Sequence, residues 1–410
     1  MKPDLQLHTP SDGGAPAPHS QSRATAAGEA GCSRRAPLEA IPREIAAVVD
    51  YVPFARERLD DSAWAYISGG AADESTLRWN RESFDRLRLK PRVLVPVAGG
   101  HTRTALFGVE YPHPVLLAPV AYQRLAHPEG ERAVVQAAAA MDTAMVVSTL
   151  SSARLEDIAA AAPAALWFQL YMQPDRAHTR ALVERAEACG CRVLVVTVDA
   201  PVNGIRNREQ RAGFRLPPDV VPLNLQGMAA VPEPRIGPDQ SQVFDGLMAH
   251  APTWSDLEWL RGITRLPIVI KGILAPEDAL RAADIGADGV VVSNHGGRTL
   301  DTLPAAMDAL PAIAGAADGR LTLLLDGGIR RGTDVLKALA LGASAVMIGR
   351  SYLYALAAAG PLGVAHVIRI LRDELEAAMA LTGCATIRDI SRRVLFDDGA
   401  ARRDSPVSVS

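Results

Sequence analysis

The amino-acid sequence predicts an α/β protein, a (β/α)8 TIM barrel with a short N-terminal helical segment and a long loop after strand four. Three observations point there. From residue 115 onward, eight short apolar runs alternate with segments of helical period. The runs are apolar throughout rather than alternately polar, as parallel strands buried on both faces require. Polar residues recur where the runs end, which is where a barrel of this kind builds its site. The competing architecture, an open doubly wound sheet, would place a G-x-G-x-x-G after its first strand, and none stands there.

Taken in chain order, residues 1–41 are rich in Ala, Pro, Gly, Ser and His and lack any apolar run. They cannot bury enough surface to offset their ordering entropy, so a disordered extension is expected. Residues 42–396 form the barrel unit, and 397–410 are expected to be a flexible tail. Within Pro42–Leu89 the spacing predicts helices at Ala55–Leu59, at Asp61–Tyr66 and from Ser75 onward, packed across the barrel. Strands are predicted at Val115–Pro119, Met145–Thr149, Leu166–Tyr171, Val193–Asp199, Pro267–Gly272, Gly289–Asn294, Leu321–Gly327 and Ala345–Gly349. Helices are expected at Gly130–Met141, Ala177–Cys189, Pro276–Ile285 and Gly332–Leu341. The connection 200–266, polar and proline-bearing in its middle, reads as a lid or binding loop over the strand ends.

Composition narrows the function. Forty-three Lys+Arg against 46 Asp+Glu give a net charge of −3, which disfavours a nucleic-acid partner. The four cysteines (Cys32, Cys189, Cys191, Cys384) show no metal or disulfide spacing and are expected to be reduced thiols. The histidines outside the strand ends are scattered, so no metal site is expected. With neither a secretory leader nor an uninterrupted apolar run of membrane-spanning length in view, a cytoplasmic protein without membrane insertion is expected.

The strand ends carry the chemistry. Strand one leads to Ala121, strand two ends in Ser148-Thr149, strand three in Gln169 and Tyr171, and strand four in Thr197 and Asp199, with Arg206 soon after. Strand five ends in Lys271, strand six runs into Ser293-Asn-His295-Gly-Gly-Arg298, strand seven into Asp326-Gly-Gly328-Ile-Arg330, and strand eight into Gly349-Arg350. Glycine amides and arginines after strands seven and eight form the usual phosphate site of such barrels. His295 beside Asp199, with Arg298 near, supplies a base, an orienting carboxylate and an anion clamp for proton abstraction next to a carboxylate. Lys271 suits either a charge placed against a cofactor or a Schiff-base nucleophile. A flavin-independent Schiff-base aldolase using Lys271 is therefore the alternative reading, and a flavin-dependent isomerase or a non-catalytic binding protein stands further off.

These motifs resemble the FMN-dependent L-2-hydroxy-acid oxidases and dehydrogenases, and within them the bacterial hydroxymandelate-oxidase branch. Besides the strand-six and strand-seven motifs, Leu266-Pro-Ile-Val-Ile-Lys-Gly272, Phe168-Gln-Leu-Tyr171, Thr197-Val-Asp-Ala-Pro201 and His127-Pro-Glu-Gly130 carry the resemblance. It implies oxidation of an L-2-hydroxy acid to the 2-oxo acid, with FMN as cofactor and oxygen, a quinone or a cytochrome as final acceptor. His295 then matches the base and Asp199 the carboxylate that stabilises its protonated form. Arg206 and Arg298 match the pair that grips the substrate carboxylate, Tyr66 contacts it too, and Tyr171 lies near the substrate hydroxyl. Lys271 matches the lysine at the flavin N1–O2 edge. Ser148, Gln169 and Thr197 match hydrogen-bonding partners of the ring, and Ala121 a backbone contact near N5. Ser293, Asp326, Gly328, Arg330, Gly349 and Arg350 complete the cofactor set. Leu150 stands where glycolate oxidases carry tryptophan, which implies a roomier side-chain pocket and a bulkier acid. The resemblance further implies a homo-oligomer of tetramer type.

Overall fold

The computed structural model describes residues 35–229, 237 and 239–396. Eight parallel strands close into a barrel: β1 (Val115–Leu117), β2 (Ala144–Ser148), β3 (Ala165–Leu170), β4 (Leu194–Thr197), β5 (Ile268–Ile273), β6 (Gly289–Val292), β7 (Thr322–Asp326) and β8 (Ala345–Ile348). The circle shuts where Val346 of β8 pairs with Val115 of β1. Alternate residues along each strand fall into two apolar sets. Leu116, Val146, Trp167, Val195, Val269, Val291, Leu324 and Met347 fill the lumen. Their neighbours, among them Leu117, Val147, Phe168, Val196, Ile270, Val292, Leu325 and Ile348, join the cluster shared with the surrounding helices. With apolar residues wanted on both faces, the strands read as unbroken runs.

The helices are α1 (Tyr51–Arg56), α2 (Asp61–Ser68), α3 (Ser75–Asp85), α4 (Gly130–Ala140), α5 (Leu155–Ala161), α6 (Arg176–Ala188), α7 (Asn207–Arg211), α8 (Trp254–Ile263), α9 (Pro276–Asp284), α10 (Ala306–Ala317), α11 (Gly332–Ala340) and α12 (Arg350–Thr382). Helix α12 breaks its regular backbone at Ala359 and Gly360, just before Pro361. It is long and apolar enough to cross a membrane, yet 67% of its most apolar stretch is buried in the fold, as befits a core helix.

Three features depart from the sequence reading. Residues 35–41, assigned above to the extension, are anchored: the Leu38 amide donates to the Ala358 carbonyl at 2.8 Å, and Arg58 Nε to the Ala36 carbonyl at 3.0 Å. The rest of that extension and the tail 397–410 lie outside the described residues. The connection 200–266 is not one loop, because it contains α7 and the full barrel helix α8. Its proline-bearing middle lies largely outside the described residues. A hairpin, Thr104–Leu106 with Val109–Tyr111, was not anticipated. It plugs the barrel at the strand starts, where Tyr111 Oη accepts from Trp167 Nε1 at 3.2 Å.

Helices α2 and α3 pack over the opposite, C-terminal mouth, whereas α1, which runs Tyr51–Arg56 and not over Ala55–Leu59, packs on α12. Asp301, in the β6–α10 loop, caps α3 by accepting from the amides of Asp73, Ser75 and Thr76 at 2.8–3.2 Å. Asn80 on α3 exchanges side-chain hydrogen bonds with Asn294 at 2.8 Å in each direction. The backbone of Asn80 lies so close to Gly328 that a Cβ there would sit 2.2 Å from the Asn80 carbonyl oxygen. Gly328 also has φ of +82°, a conformation costly for other residues. Gly328→Ala is therefore expected to destabilise the fold by more than about 2 kcal/mol and to loosen α3. A chemical-denaturation midpoint equal to that of the wild type would contradict this.

Candidate active site

The strand ends converge on a cavity of about 1060 Å³. Its walls include Tyr66, Ala121, Ser148, Leu150, Gln169, Tyr171, Thr197, Arg206, Lys271, His295, Arg298, Asp326, Gly328, Arg330, Gly349 and Arg350. Asp199 and Ser293 stand behind this wall. Ser293 is fully buried, and its Oγ accepts from Lys271 Nζ at 2.9 Å and from the His295 amide at 3.0 Å. It orients two site residues rather than facing the cavity.

His295 Nδ1 lies 2.9 Å from Asp199 Oδ1. The histidine has φ of +57° and is followed by two glycines also at positive φ, a tight turn that swings the imidazole from β6 toward the end of β4. Room for Asp199 comes from Gly272, whose φ is +110° and where a Cβ would fall 2.4 Å from the Asp199 Cβ. Burial opposes ionisation of Asp199, but the neighbouring His295 and Lys271 outweigh it and hold its carboxyl below the usual range. Asp199 thus stays anionic at neutral pH and fixes the imidazole with Nε2 as the outward nitrogen.

Lys271 is buried on β5 and pairs with Asp326 Oδ2 at 3.0 Å. Burial works against its charge, yet Asp326 and Asp199 prevail and its pKa is raised. A Schiff-base nucleophile needs the opposite shift, toward the free amine, so the aldolase alternative has no support here.

Arg298 and Arg206 meet from β6 and the β4 loop over one carboxylate that the sequence reading missed, Glu209. Its Oε1 accepts from Arg298 Nη2 at 3.1 Å and from Arg206 Nη1 at 3.4 Å. Arg298 Nη1 donates to the carbonyls of Tyr66 at 2.6 Å and Gly69 at 2.9 Å, and its guanidinium lies 4.9 Å over the Tyr66 ring. Burial pulls the Arg298 pKa down, and Arg206 pulls the same way. Tyr66 stacks on Phe214 with centroids 4.6 Å apart. Together with Tyr122, Leu150 and Leu225, Phe214 gives this end of the cavity an apolar wall. Burial raises the Tyr171 pKa to about 12 against the pull of Lys271, keeping its hydroxyl a donor at neutral pH.

Three buried polar atoms on the wall, Gln169 Nε2, Thr197 Oγ1 and Asp326 Oδ1, have no partner among the described residues. The Gln169 carbonyl is already held by Ser148 Oγ at 3.0 Å, which fixes the amide with its NH2 unpaired. Leaving such groups dry costs free energy, so this wall suits a ligand with a hydrogen-bonding polar edge. At the other end Gly349 precedes α12, whose N-terminus has no side-chain cap, and Arg330 is exposed on the cavity rim. That end suits a phosphate. Arg350 is less available than its position in the sequence implied. It donates to the carbonyls of Ile67, Gly69 and Gly296 at 2.6–3.1 Å, and burial, with Arg298 adding to it, lowers its pKa to about 10. The donor set is therefore that of a flat, hydrogen-bonding ring carrying a phosphate tail.

Comparison with known proteins agrees. The family model described as "FMN-dependent dehydrogenase" matches residues 55–397. The chain belongs to this FMN-dependent family. It is an FMN-dependent oxidoreductase of the 2-hydroxy-acid oxidase class. The L-lactate oxidase of Roseobacter sp. (strain GAI101) is 50% identical over 84% of this chain and 93% of its own length. Glycolate oxidase 1 of Zea mays is 41% identical over 87% of this chain and 96% of its own. A solved mandelate oxidase with benzoyl-formic acid is 42% identical, with a TM-score of 0.77 over 86% of this chain and 98% of that one.

Proposed function

We propose that the chain oxidises L-2-hydroxy acids to 2-oxo acids, with Arg206 and Arg298 holding the carboxylate, His295 taking the proton and oxygen as final acceptor. One observation carries the reading: His295, backed by Asp199 at 2.9 Å, faces the same cavity as the two guanidiniums and the unpaired Gln169 and Thr197 groups. Bound FMN supplies the two-electron acceptor. Ser148, Gln169 and Thr197 would hold its ring edge, with Lys271 beside it and the Ala121 backbone near N5. Asp326 would hold its ribityl hydroxyls, and Arg330 with the backbone at Gly328 and Gly349 its phosphate. Tyr66 shares the carboxylate, and Tyr171 donates to the substrate hydroxyl. As His295 gains its proton, the carboxylate of Asp199 stabilises the positive imidazole. Whether Cα–H or O–H gives up that proton first, the same base serves in the same place. Anaerobic mixing with a panel of L-2-hydroxy acids tests this: the flavin absorbance should bleach and return on admission of air. Re-oxidation only by a quinone or a cytochrome would replace oxygen as the acceptor.

The apolar wall of Tyr122, Leu150, Phe214 and Leu225 favours an acid with a sizeable apolar side chain. Leu150→Trp is expected to narrow this pocket. It should lower kcat/KM for mandelate by about tenfold or more relative to glycolate, the range available to one large steric change. Equal loss for both acids would place the substrate side chain elsewhere.

A further inference from the structure

We propose that Glu209 is a built-in carboxylate that shares Arg206 and Arg298 with the substrate and sets the site to accept a single negative charge. The inference rests on the reading of this arginine pair as the substrate-carboxylate site. Glu209 lies on α7, three residues after Arg206, and its carboxylate spans both guanidiniums at 3.1 and 3.4 Å. Glu209 and Arg298 side chains are each only 14% exposed, so their charges are weakly screened. Two guanidiniums against one carboxylate leave a net charge of +1. Of the neighbouring cations, Arg350 shares the Gly69 carbonyl with Arg298 and is turned onto backbone carbonyls at 2.6–3.1 Å, and Lys271 is matched by Asp326 at 3.0 Å, with Asp199 also close by. A monocarboxylate therefore neutralises the Arg206–Arg298–Glu209 group, while a dicarboxylate overshoots it in a poorly hydrated place. Arg298 has its other amino nitrogen on the Tyr66 and Gly69 carbonyls, so Glu209 also fixes the plane in which that guanidinium meets a ligand. Glu209 is thus a positioning and charge-setting residue, acting through the arginines.

The test compares malonate with its monomethyl ester, which keeps one carboxylate and loses the second charge. Calorimetric titration of the FMN-loaded protein at pH 8 gives both affinities in wild type, E209Q and E209D. The wild type should bind the ester at least as tightly as malonate. E209Q should shift the ratio toward malonate by about tenfold, the size expected for one unscreened charge a few ångströms away. E209D, which keeps the charge, should retain the wild-type ratio. Equal weakening of both ligands in E209Q, as a purely structural role would give, overturns the proposal. So does an unchanged ratio, or a wild-type preference for malonate, which is readable even if E209Q fails to hold FMN. A wild type whose flavin no 2-hydroxy acid bleaches would instead remove the carboxylate-site reading beneath it.

Discussion

Replacing His295 with glutamine is expected to slow anaerobic flavin reduction by about 10³-fold while leaving FMN bound. Glutamine has similar reach and can still hydrogen-bond Asp199, but it has no basic nitrogen at neutral pH. The groups assigned to FMN lie on other strands: Gln169 on β3, Thr197 on β4, Lys271 on β5 and Arg330 after β7. The flavin spectrum of H295Q should therefore match that of the wild type before substrate is added. The substrate arginines also remain, so the affinity for the 2-oxo acid should change little. Stopped-flow bleaching after mixing with L-2-hydroxy acid reads the result directly. Reduction at the wild-type rate would show that the base is another group and that the His295–Asp199 pair is structural.

The parts of this protein legible in its sequence are those set by local pattern. The eight strands could be read because both of their faces meet apolar neighbours, which leaves apolar stretches with polar residues such as Gln169 and Lys271 toward their C-terminal ends. The hairpin could not: with three residues per strand, Thr104–Leu106 is too short for any periodicity, and its register follows from the Phe107-Gly108 turn. Helix α8 did carry a signal, a capping box from Thr253 to Asp256, but it stood at the end of a long polar connection and was read as part of it. In the site, His295, Asp199 and Lys271 were legible because each stands at a strand end. Glu209 was not, since it matters only after folding brings Arg298 from another strand beside Arg206. Arg350 shows the converse. Its place after β8 implied a phosphate clamp, yet the packing of the α2–α3 connection and the β6 loop offers its guanidinium three carbonyls instead.

Lys271→Met is expected to have the second-largest effect, and on two separate properties. Methionine fits the buried space but leaves Asp326 without its counter-ion, which in the wild type lies 3.0 Å from the Lys271 ammonium. Breaking one side of a buried pair costs about 3–5 kcal/mol, so the variant should unfold at clearly lower denaturant. Flavin reduction should also slow by about 10²-fold, because the positive charge facing the ring edge is what stabilises electron density arriving there. The double variant K271M/D326N separates these effects. Removing the uncompensated carboxylate should restore most of the lost stability, while the rate stays low because the ammonium is still absent. If the double variant recovered both stability and rate, Lys271 would be a structural partner of Asp326 and nothing more. If K271M alone were as stable as the wild type, the burial and pairing described for Lys271 would be wrong.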